Sequence, residues 1–180
     1  TLTDDSVKMV KNLKQDVTLY VLSAENSADS TVVRTLENYA DESSHIKVEY
    51  VDPAVSPNFY SSYTDSAPSD GSIIVVSGEK SKVVDASDLY EYSVDYSTYT
   101  QTKSAYDGEG QLTSAISYVT SENQPKVYVI TGHGESSLDS SFQSALEKMN
   151  IAVEELTLLQ QDAVPDDAKA IIINGPTADF

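Results

Sequence analysis

The stretch Pro125-Lys126-Val127-Tyr128-Val129-Ile130-Thr131-Gly132-His133-Gly134-Glu135 decides how the chain is read. Val127 to Ile130 are β-branched or aromatic, which suits a buried strand. Gly132 and Gly134 follow at once and open backbone conformations closed to other residues. From Ser137 on, Leu138, Phe142, Ala145, Leu146 and Met149 recur at helical spacing. Strand, glycine turn and helix in that order predict an α/β unit. The loop after a strand's carboxyl end is where open α/β sheets hold ligands. Gly132, His133, Gly134 and Glu135 are therefore the candidate ligand-binding residues.

Working toward the C-terminus, Ile151 to Leu156 and Ala170 to Asn174 are two further strands, the second closed by Gly175-Pro176. Working toward the N-terminus, Gly110 precedes a helix carrying Leu112, Ala115, Ile116 and Val119. The second half is thus an α/β unit of flavodoxin-like kind, assigned to residues 106–180. Three strands are few for a stable sheet, so this unit is expected to be incomplete at its C-terminus.

The first half, residues 1–105, has a different order. Thr3 is an N-cap followed by Asp4 and Asp5, and Val7, Val10 and Leu13 make one apolar face. Val17 to Leu22 is a strand, Val32 to Ala40 lie in a helix, and Ile46 to Val51 is a second strand. Such a βαβ unit predicts parallel strands and a right-handed crossover. Ser72 to Ser77 and Ser81 to Asp85 flank Gly78-Glu79-Lys80 as a hairpin. The order βαβ-ββ is thioredoxin-like. The chain has no cysteine, so thiol redox chemistry, disulfides and thiolate metal sites are excluded. Between the halves, residues 86–108 carry Tyr90, Tyr92, Tyr96, Tyr99 and Tyr106. Such a cluster either packs at a domain seam or grips a partner, and Tyr92, Tyr96 and Tyr99 are the candidate partner-binding residues.

Composition narrows the partners. Asp plus Glu number 29 against 11 Lys plus Arg, a net charge of −18. Such a surface repels phosphate backbones and anionic headgroups, so nucleic acid is not expected as a partner. No stretch is long and apolar enough for a transmembrane helix.

The glycine turn admits three chemistries. In a binding module, backbone N–H groups at the following helix start would hold a ligand. In the structural alternative, His133 closes the turn by hydrogen bonding and Glu135 or Ser136 caps the helix. A hydrolase would resemble a strand-to-helix nucleophile elbow, yet the tip is His133, and Ser136 and Ser137 lie beyond it. A metal site would start from His133 and Glu135, with Asp107 or Glu109 to add an oxygen, but two residues in alternate positions of a loop fall short of the three or four ligands zinc needs. No catalytic residue, metal ligand or cofactor is assigned, and no phosphate-binding loop is present.

Several motifs recur together, in order: Leu2-Thr3 opening a helix, the Val17 to Leu22 strand, Glu49-Tyr50-Val51-Asp52-Pro53, Gly110 to Ile116, Thr131-Gly132-His133-Gly134-Glu135, and Ile171 to Pro176. In this the chain resembles the extracytoplasmic part of the GldG family, auxiliary proteins of ABC-2-type transport systems. The resemblance implies a soluble, outward-facing region, anchored to the cell membrane by helices outside this sequence. It implies an ABC-type permease and its ATPase as partners, and a glutamine-amidotransferase-like second half without carried-over catalytic residues. The expected role is a non-catalytic auxiliary or substrate-binding-like component that binds a partner protein or transported substance. The alternatives are a hydrolase with its site at Gly132-His133-Gly134 and a pure assembly scaffold. Family length also implies that the natural chain continues past Phe180.

Overall fold

The computed structural model describes residues 1–121, 125–157 and 163–177. The chain divides into two compact units, Thr1–Thr120 and Ser121–Phe180.

The first unit begins with helix α1 (Asp4–Lys11), whose Thr3 side chain accepts a hydrogen bond from the Ser6 N–H. Strand β1 (Val17–Val21) follows, then helix α2 (Ser30–Glu42) and strand β2 (Ile46–Tyr50). Asp29 caps α2 by accepting from the Thr31 and Val32 N–H groups at 2.8 and 3.2 Å. Strands β3 (Ile73–Ser77) and β4 (Lys80–Val84) form a hairpin closed by Gly78-Glu79. Gly78 has a φ of 57°, which suits the first central position of a two-residue type II′ turn.

The four strands lie in the order β2-β1-β3-β4. Val17 pairs with Ile46 and Val21 with Tyr50 in parallel register. Strand β3 runs antiparallel to both β1 and β4. This is the thioredoxin-like arrangement, built without a cysteine.

Burial alternates along β1. Val17, Leu19 and Val21 belong to one core cluster with Leu36 and Tyr39 of α2. The intervening Tyr20 stacks instead on Phe59 and Tyr63, with ring centroids 5.0 and 6.1 Å away. Burying each large aliphatic side chain contributes about 1.5–3 kcal/mol, and the tightly packed β1 core concentrates that gain.

Two features of this unit differ from the sequence expectation. The tyrosine-rich stretch is not a domain seam. It is a second hairpin, strands β5 (Tyr90–Asp95) and β6 (Thr100–Tyr106), in a two-stranded sheet of its own. Tyr90, Tyr92 and Val94 alternate with Glu91, Ser93 and Asp95 along β5, but the polar run Thr100 to Ser104 in β6 carries no matching alternation. The seam also lies later than residue 105. Helix α3 (Gly108–Thr120) packs on β3 and β4, and its Leu112, Ala115, Ile116 and Val119 are core residues of the first unit. The Tyr39 hydroxyl bonds to Thr113 and to the Glu109 carbonyl. Burial pushes the Tyr39 pKa up to about 12, the Thr113 hydrogen bond opposing.

The second unit holds strand β7 (Lys126–Thr131), helix α4 (Ser140–Lys148), strand β8 (Ala152–Thr157) and strand β9 (Ala168–Ile172). All pairings are parallel, in the order β8-β7-β9. That is the first part of the flavodoxin-like order, with the switch point between β7 and β9. Asp139 caps α4 by accepting from Ser141 N–H at 2.9 Å. The helix therefore starts at Ser140, and neither Glu135 nor Ser136 is its cap. The chain's end at Phe180 lies outside the described residues.

Candidate functional site

The first candidate is the turn after β7. Gly132 and Gly134 have φ angles of 108° and 79°, which only glycine takes without strain. These angles fold the turn back toward the loop after β9. The Thr177 N–H and hydroxyl both donate to the His133 carbonyl, at 2.9 and 3.2 Å. Ser136 N–H donates to the Asn174 carbonyl at 2.7 Å, and the Asn174 amide donates to the Ser136 and Ser137 carbonyls. The two loops at the switch point thus satisfy each other's backbone groups.

The charged groups of the turn point inward. The His133 side chain is 8% exposed and that of Glu135 is 1% exposed. His133 Nδ1 lies 3.3 Å from Glu135 Oε1, and the His133 N–H donates to Glu135 Oε2 at 2.7 Å. Burial raises the Glu135 pKa, but backbone N–H donors and the imidazole outweigh it and hold the carboxyl below its usual value. The structure brings all four predicted residues together. It uses His133 and Glu135 to close the turn, and exposes the backbone at Gly132 and Gly134.

The second candidate is the β5–β6 hairpin. Tyr92, Val94, Tyr96 and Tyr99 are 41, 44, 79 and 86% exposed. The connecting turn is held by Asp95, which accepts from the Ser97 N–H at 2.8 Å and hydroxyl at 2.6 Å. Tyr99 takes a φ of 53°, which a bulky residue adopts at a cost. At the hairpin base, Tyr90 stacks on Tyr106 at 5.0 Å and Lys103 Nζ sits 3.9 Å over the Tyr90 ring. The three predicted tyrosines are therefore on one arm, rooted at Tyr90 and open beyond it.

The third feature was not singled out from sequence. A cleft of about 660 Å³ opens at the carboxyl ends of β1 and β2. Its floor includes Leu22, Val32 and Leu89, and its walls include Asp52, Asp70 and Tyr92. The signal was available. Asp52-Pro53 follows a parallel strand just as Gly132 does, and the same carboxyl-end rule applies to both sheets. The polar stretch Ser69-Asp70-Gly71 was legible only as loop chemistry, because its partner Asp85 lies 16 positions away. Asp85 accepts from the Ser69 N–H and hydroxyl and from Ser87, which fixes the cleft rim.

The remaining histidine, His45, lies 2.9 Å from Asp16 on the surface of the first unit. Among the described residues, no three His, Asp or Glu side chains gather as a metal site would require. No helix among them is long and apolar enough to cross a membrane.

Residues 1–88 match a family model described as a domain of unknown function, DUF7088. No curated protein matches the chain. Among solved structures, the chain is similar to the crystal structure of the NTD_N/C domain of alkylhydroperoxide reductase AhpF from Enterococcus faecalis. The identity is 12% and the TM-score 0.42, over 87% of this chain and 78% of that one.

Proposed function

We propose that this chain is the outward-facing part of a non-catalytic auxiliary component of an ABC-type transport system, and that it acts by binding. The partner is the membrane permease or a substance the system moves. The ordered set of motifs resembling the GldG family supports the setting. The β5–β6 arm supports the mode of action and carries the reading. A two-stranded sheet is marginal in water, yet this one displays Tyr92, Val94, Tyr96 and Tyr99 to solvent. Exposed aromatic clusters of this kind mark protein interaction surfaces. The closed turn at Gly132-His133-Gly134-Glu135 favours a supporting role for the second unit's switch point.

The test is photo-cross-linking of the full-length, membrane-anchored protein. A benzophenone amino acid replaces Tyr96 or Tyr99, and adducts are identified by mass spectrometry. An adduct with an ABC permease subunit, lost when the label sits at Lys14 instead, is the expected result. Labels at Tyr96 and Tyr99 that capture no transport subunit would overturn the reading.

A further inference from the structure

The large cleft of the first unit does not stand alone. A smaller pocket of about 100 Å³ adjoins it and shares Leu22, Pro53 and Asp70 with it. The two differ in chemistry. The small pocket is walled by Pro57, Phe59, Tyr60, Ala67 and Pro68. Its volume is about that of three waters in bulk, the scale of one aliphatic side chain. The large cleft carries the carboxylates Asp29, Asp52 and Asp70 against a single cation, Lys103.

The charges there are not equivalent. Asp29 is committed: it caps α2, accepts from the Tyr90 hydroxyl at 2.9 Å, and lies 3.6 Å from Lys103 Nζ. Lys103 is held by that carboxylate and by the Tyr90 ring. Asp52 uses one oxygen to accept from the Ala54 N–H at 2.9 Å. Asp52 and Asp70 thus leave the cleft with an excess of negative charge beside its junction with the apolar pocket.

We propose that this two-part groove receives an extended segment of a partner protein, in which a lysine or arginine stands two positions from an aliphatic residue, so that both side chains face the groove. The aliphatic side chain fills the pocket between Pro57 and Phe59. The basic side chain lies in the cleft near Asp52 and Asp70. Charge complementarity selects this occupant. A second copy of the chain brings a net charge of −18 to a groove already negative, and anionic ligands are repelled in the same way. Cavities in series, one apolar and one charged, match alternate side chains of an extended peptide better than they match one compact small molecule. The inference deepens the binding reading above by naming the partner's chemistry, but it does not depend on which transport subunit supplies the segment.

The test uses fluorescein-labelled hexapeptides on the intact chain, read by anisotropy at low ionic strength. The probe is fluoresceinyl-Gly-Leu-Leu-Lys-Lys-Gly-amide, labelled at its N-terminus, which sets each leucine two positions from a lysine. Its controls replace both lysines by glutamate or both leucines by serine. The protein variant is Asp52→Asn with Asp70→Asn, which keeps the Ala54 hydrogen bond. The lysine probe is expected to bind at least roughly tenfold tighter than either control, and the double variant to lose most of that preference. The idea fails if the three peptides bind alike or not at all, or if the double variant binds the probe like wild type. It fails equally if spermidine displaces the probe as well as unlabelled peptide does, since that would mark a plain cation site. A permease cross-link at Tyr96 would survive any of these failures, so the two proposals fall separately.

Discussion

The carbonyl of His133 accepts two hydrogen bonds from one residue, the N–H and the hydroxyl of Thr177. The contact spans 44 positions and joins the loops that leave β7 and β9. A ligand at the switch point of this sheet would have to meet a loop pair already bonded to itself.

Gly134 sits inside that contact, and a Cβ added there would fall 1.9 Å from Thr177 Oγ1. With its φ of 79°, Gly134→Ala meets both backbone strain and a clash. A loss of about 1–3 kcal/mol is expected in the second unit. Hydrogen exchange of the β7 amides measures it. Exchange as slow as wild type would show that the loop pair is not fixed through this approach.

Asp85 accepts from five donors around the cleft rim, the N–H groups of Ser69 and Ser87 and the hydroxyls of Ser69, Ser72 and Ser87. Burial alone would raise its pKa, but the Ser87 and Ser69 donors outweigh burial and hold it well below the usual carboxylate range. The folded value is below the unfolded one, so the stabilisation is full above about pH 4 and is lost as pH falls through the folded value. Asp85→Asn should cost about 1–2 kcal/mol at neutral pH, with the gap to wild type closing in strong acid. Urea midpoints across pH give the gap directly. A gap independent of pH would mean the charge of Asp85 contributes nothing.

Helix α3 should decide where the first unit can be cut. A chain of residues 1–120 is expected to unfold cooperatively. A chain of residues 1–105 loses Leu112, Ile116 and Val119 from the core and should not fold. Within the intact protein, Leu112→Ala should cost about 2–5 kcal/mol. Circular dichroism of the two truncations checks the boundary. A folded 1–105 chain would return the seam to where the sequence alone had set it.

Tyr99 separates function from stability on the hairpin. It is exposed and holds a φ of 53°, so Tyr99→Gly relieves strain while removing a displayed ring. Stability should rise or stay within about 1 kcal/mol. Cross-linking from a label at Tyr96 should fall. Lower stability with unchanged cross-linking would make Tyr99 a structural residue of the turn.

The sequence by itself determined what local chemistry determines. Ile46, Val48 and Tyr50 alternating with Lys47 and Glu49 marked β2, and spacing marked the parallel β1–α2–β2 unit. Thr3 announced its cap, and Gly78-Glu79-Lys80 announced the hairpin, whose turn proper is Gly78-Glu79. The absence of cysteine settled that no thiol chemistry occurs on this thioredoxin-like sheet. Each of these signals lies within a few residues of what it controls. Tertiary structure decided the rest, because the partners are distant in the chain. Glu135 could have capped the next helix, but a buried carboxylate goes to the strongest donors in reach, here the backbone of its own turn. Helix α3 reads the same on either side of a seam, and packing with Ile73 and Val75 of β3 and Val84 of β4 in one core claimed it for the first unit. The groove beside Asp52 and Asp70 exists because separate loops meet over the carboxyl ends of two strands, and no single stretch of sequence contains it.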